Sequence, residues 1–462
     1  MRKRMLCLLA VLLLLLACAG CGKPGPVTAH KLHTSAGENW YFGFGRRQIV
    51  LLSYNDRTPL YIAGYNNGLE IQDVLDYCEA RAVWLDTGAE GILLIGIDCV
   101  ALDSGTVAKI RSGLADLPNC AAVNVFATHT HAGIDTLGLW GPVGIDGKNS
   151  DYMDAVIRAA IEAGREASQR RKPATMYFGQ QQTWDICQDS RDPQIYDPNL
   201  YQLRLEAEDG SAGLRMLFFG AHAESLRGDN LALSRDFPGQ LCDRVTRLTD
   251  DYTMFCPGAI GGLIMTRQFV EEAEENLTVT AEKLTECAVS ITLAQERQLA
   301  PTMTVTRAVF SVPMDNPVFL LYRFLGILGN KVVSADSATD YGVETELSLV
   351  QLGDVALTLI PGEIFPELVY GGADDPEGEN PKPLCEIAAE HGVDTLLILG
   401  LANDEVGYIV PPSDFLVHEQ LPYIETVRDE TGENHYEETN SLGPLCAPRI
   451  ADAFTAAVAA LQ

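Results

Sequence analysis

From Trp40 to the C-terminus the chain moves between two hydrophobic rhythms, and that alternation narrows the available architectures. Residues 46–53, 81–86 and 91–98 are short runs of β-branched and aliphatic side chains, the pattern of strands. Residues 151–171 instead space their apolar groups as a helix does, with Met153, Val156, Ile157, Ala160 and Ile161 on one face. Residues 203–206 and 214–219 predict a hairpin about Glu208-Asp209-Gly210. Helices are expected over 237–248, 270–299 and 450–461, and further strands over 305–312, 347–360 and 395–401. The polar, turn-rich stretches 371–382 and 427–434 read as surface loops, not domain boundaries. The expectation is an α/β chain of mixed β-sheets with flanking helices, forming one large domain over residues 40–462.

The N-terminus follows different rules. Met1-Arg2-Lys3-Arg4 is basic, and the apolar run from Leu6 to Leu16 is too short for a comfortable membrane span. It ends in LLACAGCG, the pattern of a bacterial lipoprotein signal over residues 1–21. Cys21, after Ala19-Gly20, is the preferred lipidated residue, and Cys18 the alternative. Residues 22–39 would tether the body to that lipid. The expected location is the extracytoplasmic face of a bacterial cell membrane, or secretion if the signal is an ordinary one. Against 63 Asp+Glu stand 33 Lys+Arg, a formal charge of -30, which speaks against nucleic acid or an anionic membrane surface as an electrostatic partner. No protein partner is evident. The nine cysteines beyond the signal form no CxxC and read as buried thiols, not a disulfide framework.

Four apolar runs lead into residues that can do chemistry. Residues 123–127 end at Thr128-His129-Thr130-His131-Ala132-Gly133; in an extended strand residues two apart share a face, so His129 and His131 can address one site. Residues 214–220 deliver His222, residues 355–360 deliver Glu363, and residues 395–401 lead through ANDEVG to Tyr408. Ligands of α/β proteins bind beyond the carboxyl ends of strands, so these segments can converge. Two histidines and a glutamate with a fourth position for water or a phenol oxygen suit catalytic zinc. An all-oxygen set would suit calcium or magnesium instead. Structural roles are also open: His222 bonded to a core carbonyl, Glu363 capping a turn, Tyr408 packing. No GxSxG elbow occurs, which speaks against a serine hydrolase.

In order, THTHAG, GAHAES, PGEIFPE, NDEVGYIVPPSDF and HYEETNSLGP, with Ala63-Gly64-Tyr65 upstream, resemble the N-terminal catalytic domain of the neutral/alkaline ceramidases. The resemblance runs from about Ile49 to the C-terminus. It implies a zinc-dependent amidohydrolase that cleaves the amide of N-acylsphingosine, with one Zn2+ per chain held by His129, His222, Glu363 and Tyr408. It further implies His131 as the companion that handles protons or substrate, Tyr408 steadying the oxyanion, and Arg191 of the SRDP segment on the substrate side. A lipid-like N-acyl substrate would be reached through the N-terminal lipid anchor. Two departures stand out. The family's Gly-Asp-Val-Ser segment is matched by Gly258-Ala259-Ile260-Gly261, which lacks the Asp and the Ser, and no C-terminal immunoglobulin-like domain is expected after Gln462. The alternatives are therefore a zinc hydrolase of another amide or an ester, or a solute-binding lipoprotein without chemistry, which predicts two lobes around a cleft.

Overall fold

The computed structural model describes residues 25–183, 185–334, 341–429 and 432–462. The expected signal, with Cys18 and Cys21, lies outside the described residues. Among those described, no helix is long and apolar enough to cross a membrane.

Two stacked β-sheets carry the fold. In chain order their strands are β1 (Thr28–Ala36), β2 (Trp40–Gln48), β3 (Glu79–Asp86), β4 (Gly91–Ile97), β5 (Cys120–Ala127), β6 (Lys172–Gln182), β7 (Asn199–Ala207), β8 (Leu214–Phe219), β9 (Tyr252–Pro257), β10 (Arg297–Gln298), β11 (Thr302–Pro313), β12 (Lys331–Ser334), β13 (Tyr341–Leu352), β14 (Val355–Leu359) and β15 (Thr395–Leu399). One sheet runs β9-β8-β7-β6-β2-β3-β4-β5 with β10 beside β6; the other runs β1-β11-β13-β14-β15 with β12 beside β13. Strand β2 shows why they stack. Trp40, Phe42 and Phe44 alternate onto one face and pack into a core shared with Met303, Val305, Val350 and Leu357 of the second sheet.

Helices cover both outer faces. Helices α1 (Ser104–Gly113) and α2 (Ser150–Gln169) lie on part of the first sheet, and α3 (Asp236–Thr249) and α4 (Ala273–Ser290) on the rest. Helices α5 (Pro317–Phe324), α6 (Pro366–Tyr370), α7 (Leu384–Glu390) and α8 (Cys446–Ala459) cover the second. The result is a four-layer αββα sandwich. Strands β3 and β4 are buried along their whole length, so they read as continuous apolar runs instead of alternating ones. Gly43 and Gly45 let α2 rest on the sheet, since a Cβ at either would overlap a carbonyl oxygen of Ala167 or Ala163. The two sheets share one core, so the described residues do not divide into the two lobes expected of the solute-binding alternative. All nine described cysteines are free thiols.

Several boundaries differ from expectation. The strand expected over 46–53 lies earlier, because the period-two aromatics begin at Trp40. The helix expected over 270–299 ends at Ser290, and the chain then adds β10 to the first sheet. The single strand expected over 347–360 is the antiparallel pair β13 and β14, which turns at Gly353. The segment read as a tether contains β1, whose backbone pairs antiparallel with β11.

Helix α1 illustrates a local determinant. Asp103 caps it, accepting from Thr106 N at 2.7 Å, and its other oxygen accepts from Gly329 N at 3.0 Å. Asp103→Ala is expected to cost about 1–2 kcal/mol, read from the urea midpoint; an unchanged midpoint would show the cap to be dispensable.

At the carboxyl ends of β5, β8, β9, β14 and β15 the two sheets knit together. Gly400 N donates to Pro257 O at 3.0 Å, Asn403 N to Val125 O at 2.7 Å, and Ala127 N to Leu401 O at 3.2 Å. The loops that carry the chemically capable residues leave from this junction.

Candidate metal centre

His129 and His131 do reach one place, but not through the pleat of a strand. Strand β5 stops at Ala127, and His129 adopts a left-handed backbone with φ of 64°. Thr130 then forms a parallel bridge with Ala223, and His131 N donates to Ala223 O at 2.9 Å. That bridge sets the loop after β5 against the loop after β8 and brings His222 beside His129. A left-handed histidine is an uncommon, strained conformation, of the kind that surrounding structure must hold in place. Glu363 and Tyr408 arrive together, because Glu363–Ile364 and Tyr408–Ile409 form a short parallel pair in which they are register partners.

The imidazoles meet edge to face, His129 at 4.7 Å from both His131 and His222 between ring centroids. His129 Nδ1 lies 2.8 Å from Val100 O and His222 Nδ1 3.1 Å from Ile264 O. Those carbonyls hold the proton on Nδ1 and leave each Nε2 lone pair facing inward. His131 Nε2 is 3.1 Å from His129 Nε2, and Glu363 Oε2 is 3.0 Å from His222 Nε2 and 3.5 Å from His129 Nε2. Inward lone pairs and a carboxylate within one small volume repel unless a cation or proton sits among them. The donor chemistry therefore fits a metal ion: among the described residues His129, His131 and His222 bring ligand atoms within 4.8 Å of one another, with Glu363 beside them.

Burial, with the neighbouring His222, lowers His129 to about 4 and keeps it neutral near pH 7. Burial and the other two rings likewise hold His131 well below its ordinary value. For His222 burial acts downward, but the Glu363 carboxylate outweighs it and the net shift is upward. Glu363 is held below the usual range, against its burial, by His129 and His222. Burial and Glu363 push the Tyr408 phenol well up, and its hydroxyl lies 2.8 Å from that of Tyr436.

Above the group opens a cavity of about 280 Å³. Leu137, Leu139, Trp140, Met314, Phe319 and Leu442 line it with Asn330 and Glu405, and His129, His131, Glu363 and Tyr408 form one wall. Such a space suits an apolar ligand oriented by a few polar groups.

Arg191 stands apart from this cavity. It is buried against acids, with Glu438 at 3.3 Å, Asp414 at 3.5 Å and Glu437 at 3.8 Å. Its link to the centre is the Phe365 ring, 5.4 Å from the guanidinium and 6.4 Å from the Tyr408 ring. Nearby Glu367 is pushed up to about 8 by burial, helped by Asp189 and Asp414. Between its ordinary value of 4.5 and 8 the folded chain keeps a proton that the unfolded chain has released, so stability falls as pH rises through this window. Glu367→Gln is expected to be more thermostable than the wild type at pH 9, with the difference shrinking at pH 5. Melting curves with no pH-dependent gap would refute this.

No protein-family model and no curated protein matches the chain. Solved structures do. The neutral ceramidase from Pseudomonas aeruginosa superposes with a TM-score of 0.70 at 15% identity, covering 92% of this chain and 74% of that one. The chain has the neutral ceramidase fold. A ceramidase complexed with C2 matches similarly, with a TM-score of 0.69 at 14% identity over 92% of this chain and 75% of its own. Within the ceramidase fold, residues 258–261 are shaped by backbone contact. Gly261 N donates to Ile364 O at 2.9 Å, and a Cβ on Gly261 would lie 2.5 Å from Phe365 Cδ2 and 2.6 Å from Ile364 C. The departure from Gly-Asp-Val-Ser is thus built into the strand that carries Glu363.

Sequence reasoning missed Glu224, Glu405 and the site role of Tyr436. Each sits in a quoted motif: Glu224 two residues after His222, Glu405 three before Tyr408, Tyr436 in HYEETN. An acid at such spacing beside a candidate ligand was the available signal.

Proposed function

We propose that the chain is a zinc-dependent amidohydrolase acting on lipid-like N-acyl substrates, with ceramide the first to test. The observation that carries this reading is the convergence of three imidazole Nε2 atoms and the Glu363 carboxylate beneath an apolar cavity. His129, His222, Glu363 and Tyr408 would hold the ion. When bound, zinc supplies Lewis-acid polarisation of an acyl carbonyl and acidifies water to a pKa near ~7. The protein supplies the rest. The apolar walls take up the hydrocarbon chain and exclude bulk water. In this reading the Tyr408 hydroxyl steadies the carbonyl oxygen as it becomes the oxyanion. His131 would take a proton from the attacking water at Nε2 and pass it to the leaving amine. Arg191 supports Tyr408 through Phe365 in this reading.

The backbone-filled position of Gly261 favours a head group different from that of a family member with serine there, so other N-acyl amides and esters belong in the same screen. An N-terminal lipid on Cys21, or on Cys18, would keep the enzyme at the extracytoplasmic membrane face, near such substrates. The test is elemental analysis of the purified body with an assay of fatty-acid release from N-acyl amides and matched esters. Expected are about one zinc per chain and amide hydrolysis that a chelator abolishes and zinc restores. No bound metal after zinc reconstitution would sink the reading.

A further inference from the structure

The three imidazoles differ on the side that faces away from the centre. The outward nitrogens of His129 and His222 meet backbone carbonyls, whereas His131 Nδ1 faces a carboxylate, with Glu224 Oε2 at 3.7 Å. Glu224 is itself braced, because Tyr65 OH donates to that same oxygen at 2.6 Å. The Tyr65 ring stands edge-on to the His131 ring, centroids 5.2 Å apart. Gly64, at φ of 113°, lays the backbone directly on the imidazole: a Cβ there would lie 2.5 Å from His131 Cγ. His131 Nδ1 and Glu224 Oε1 are both buried without a hydrogen-bond partner, and the 3.7 Å from Nδ1 to Oε2 is longer than a hydrogen bond. A buried ring nitrogen and a buried carboxylate oxygen are each costly to leave unpaired, and Glu224 is the carboxylate beside His131 Nδ1.

The spacing has one cause. Thr130 and Ala223 form the bridge between the two loops, so His129 and His131 flank it on one side and His222 and Glu224 on the other. The register that gathers the histidines therefore also delivers the carboxylate to the back of His131.

We propose that Glu224, braced by Tyr65, is a positioning residue that keeps the proton on His131 Nδ1 and presents the Nε2 lone pair to the centre. A carboxylate behind an imidazole fixes both tautomer and ring orientation. The use made of that lone pair rests on the hydrolase reading above; the tautomer does not.

The test is a long-range ¹H–¹⁵N spectrum of protein labelled with ¹⁵N-histidine and loaded with zinc, His131 being assigned by its loss in His131→Asn. In the wild type His131 is expected as the Nδ1–H tautomer. Glu224→Leu should release it into a tautomer mixture while His129 and His222 stay unchanged, and Glu224→Gln, which keeps an acceptor, should restore it. If the hydrolase reading holds, Glu224→Leu also lowers kcat by about 10–100-fold with KM nearly unmoved. Should Glu224→Leu fail to fold, Tyr65→Phe removes only the brace, and a shift of the His131 Nδ1 resonance is expected. An Nε2–H tautomer in the wild type overturns the proposal, as does an unchanged His131 signal in Glu224→Leu or in Tyr65→Phe. The expected tautomer together with no hydrolysis of any substrate would leave this proposal standing and sink the hydrolase reading alone.

Discussion

Replacing His222 with alanine is expected to remove bound zinc and turnover together. The side chain is fully buried, its Nε2 lies 3.0 Å from Glu363, and its backbone and Nδ1 both engage the Ile264 carbonyl. Truncation deletes one nitrogen of the metal group and also leaves Glu363 with His129 alone of the two rings that hold its carboxylate ionised. Removing even an outer-shell partner of a metal ligand typically costs 10–100-fold in affinity, so loss of a ligand should cost more than about 100-fold. The measurement is zinc content by elemental analysis beside the hydrolysis assay, with circular dichroism to confirm folding. Full activity without metal would refute the mechanism.

Gly261→Ser, which writes the family's serine into this chain, is expected to cripple the protein instead of improving it. The new Cβ would press on Phe365 Cδ2 and on backbone atoms of Ile364 and Phe365, which cannot swing aside as a flexible side chain could. Overpacking of a tight core commonly costs 1–3 kcal/mol, and a backbone obstacle places this substitution at about 3 kcal/mol or more. Relief of the overlap would push on the segment carrying Glu363, so zinc content should fall along with the urea midpoint. A Gly261→Ser protein of wild-type stability that gained ceramide turnover would show that the loop accommodates the family's residue after all.

Much of the site could be read from the sequence because its determinants are local. An apolar run leading into a histidine or an acid is a pattern within ten residues for His129, His222 and Glu363, and the run before Tyr408 extends it to fourteen. The stacking of Trp40, Phe42 and Phe44 is likewise period-two information. What escaped depends on partners far along the chain. Strand β1 is polar in composition and becomes a strand because β11 offers it an edge. The approach of His129 depends on a left-handed turn that residue type alone does not announce, since even histidine, enriched there, adopts it in a minority of cases. Glu224 acquires its meaning from the bridge between Thr130 and Ala223, and the surroundings of Arg191 come from residues 414–438. Spacing rules see neighbours in sequence, and these are neighbours across the sandwich.

The knitting of the two sheets at their carboxyl ends has a consequence for how the molecule matures. His129 and His222 leave one sheet and Glu363 leaves the other, and they meet only where Gly400 and Asn403 bond across to Pro257 and Val125. Half a chain, or one with its sheets unjoined, holds no complete donor set. Contacts so distant in sequence form late in folding, after the entropy of long loops has been spent. The candidate donor set is thus complete only once the two sheets have joined, and its formation reports on the assembly of the whole sandwich.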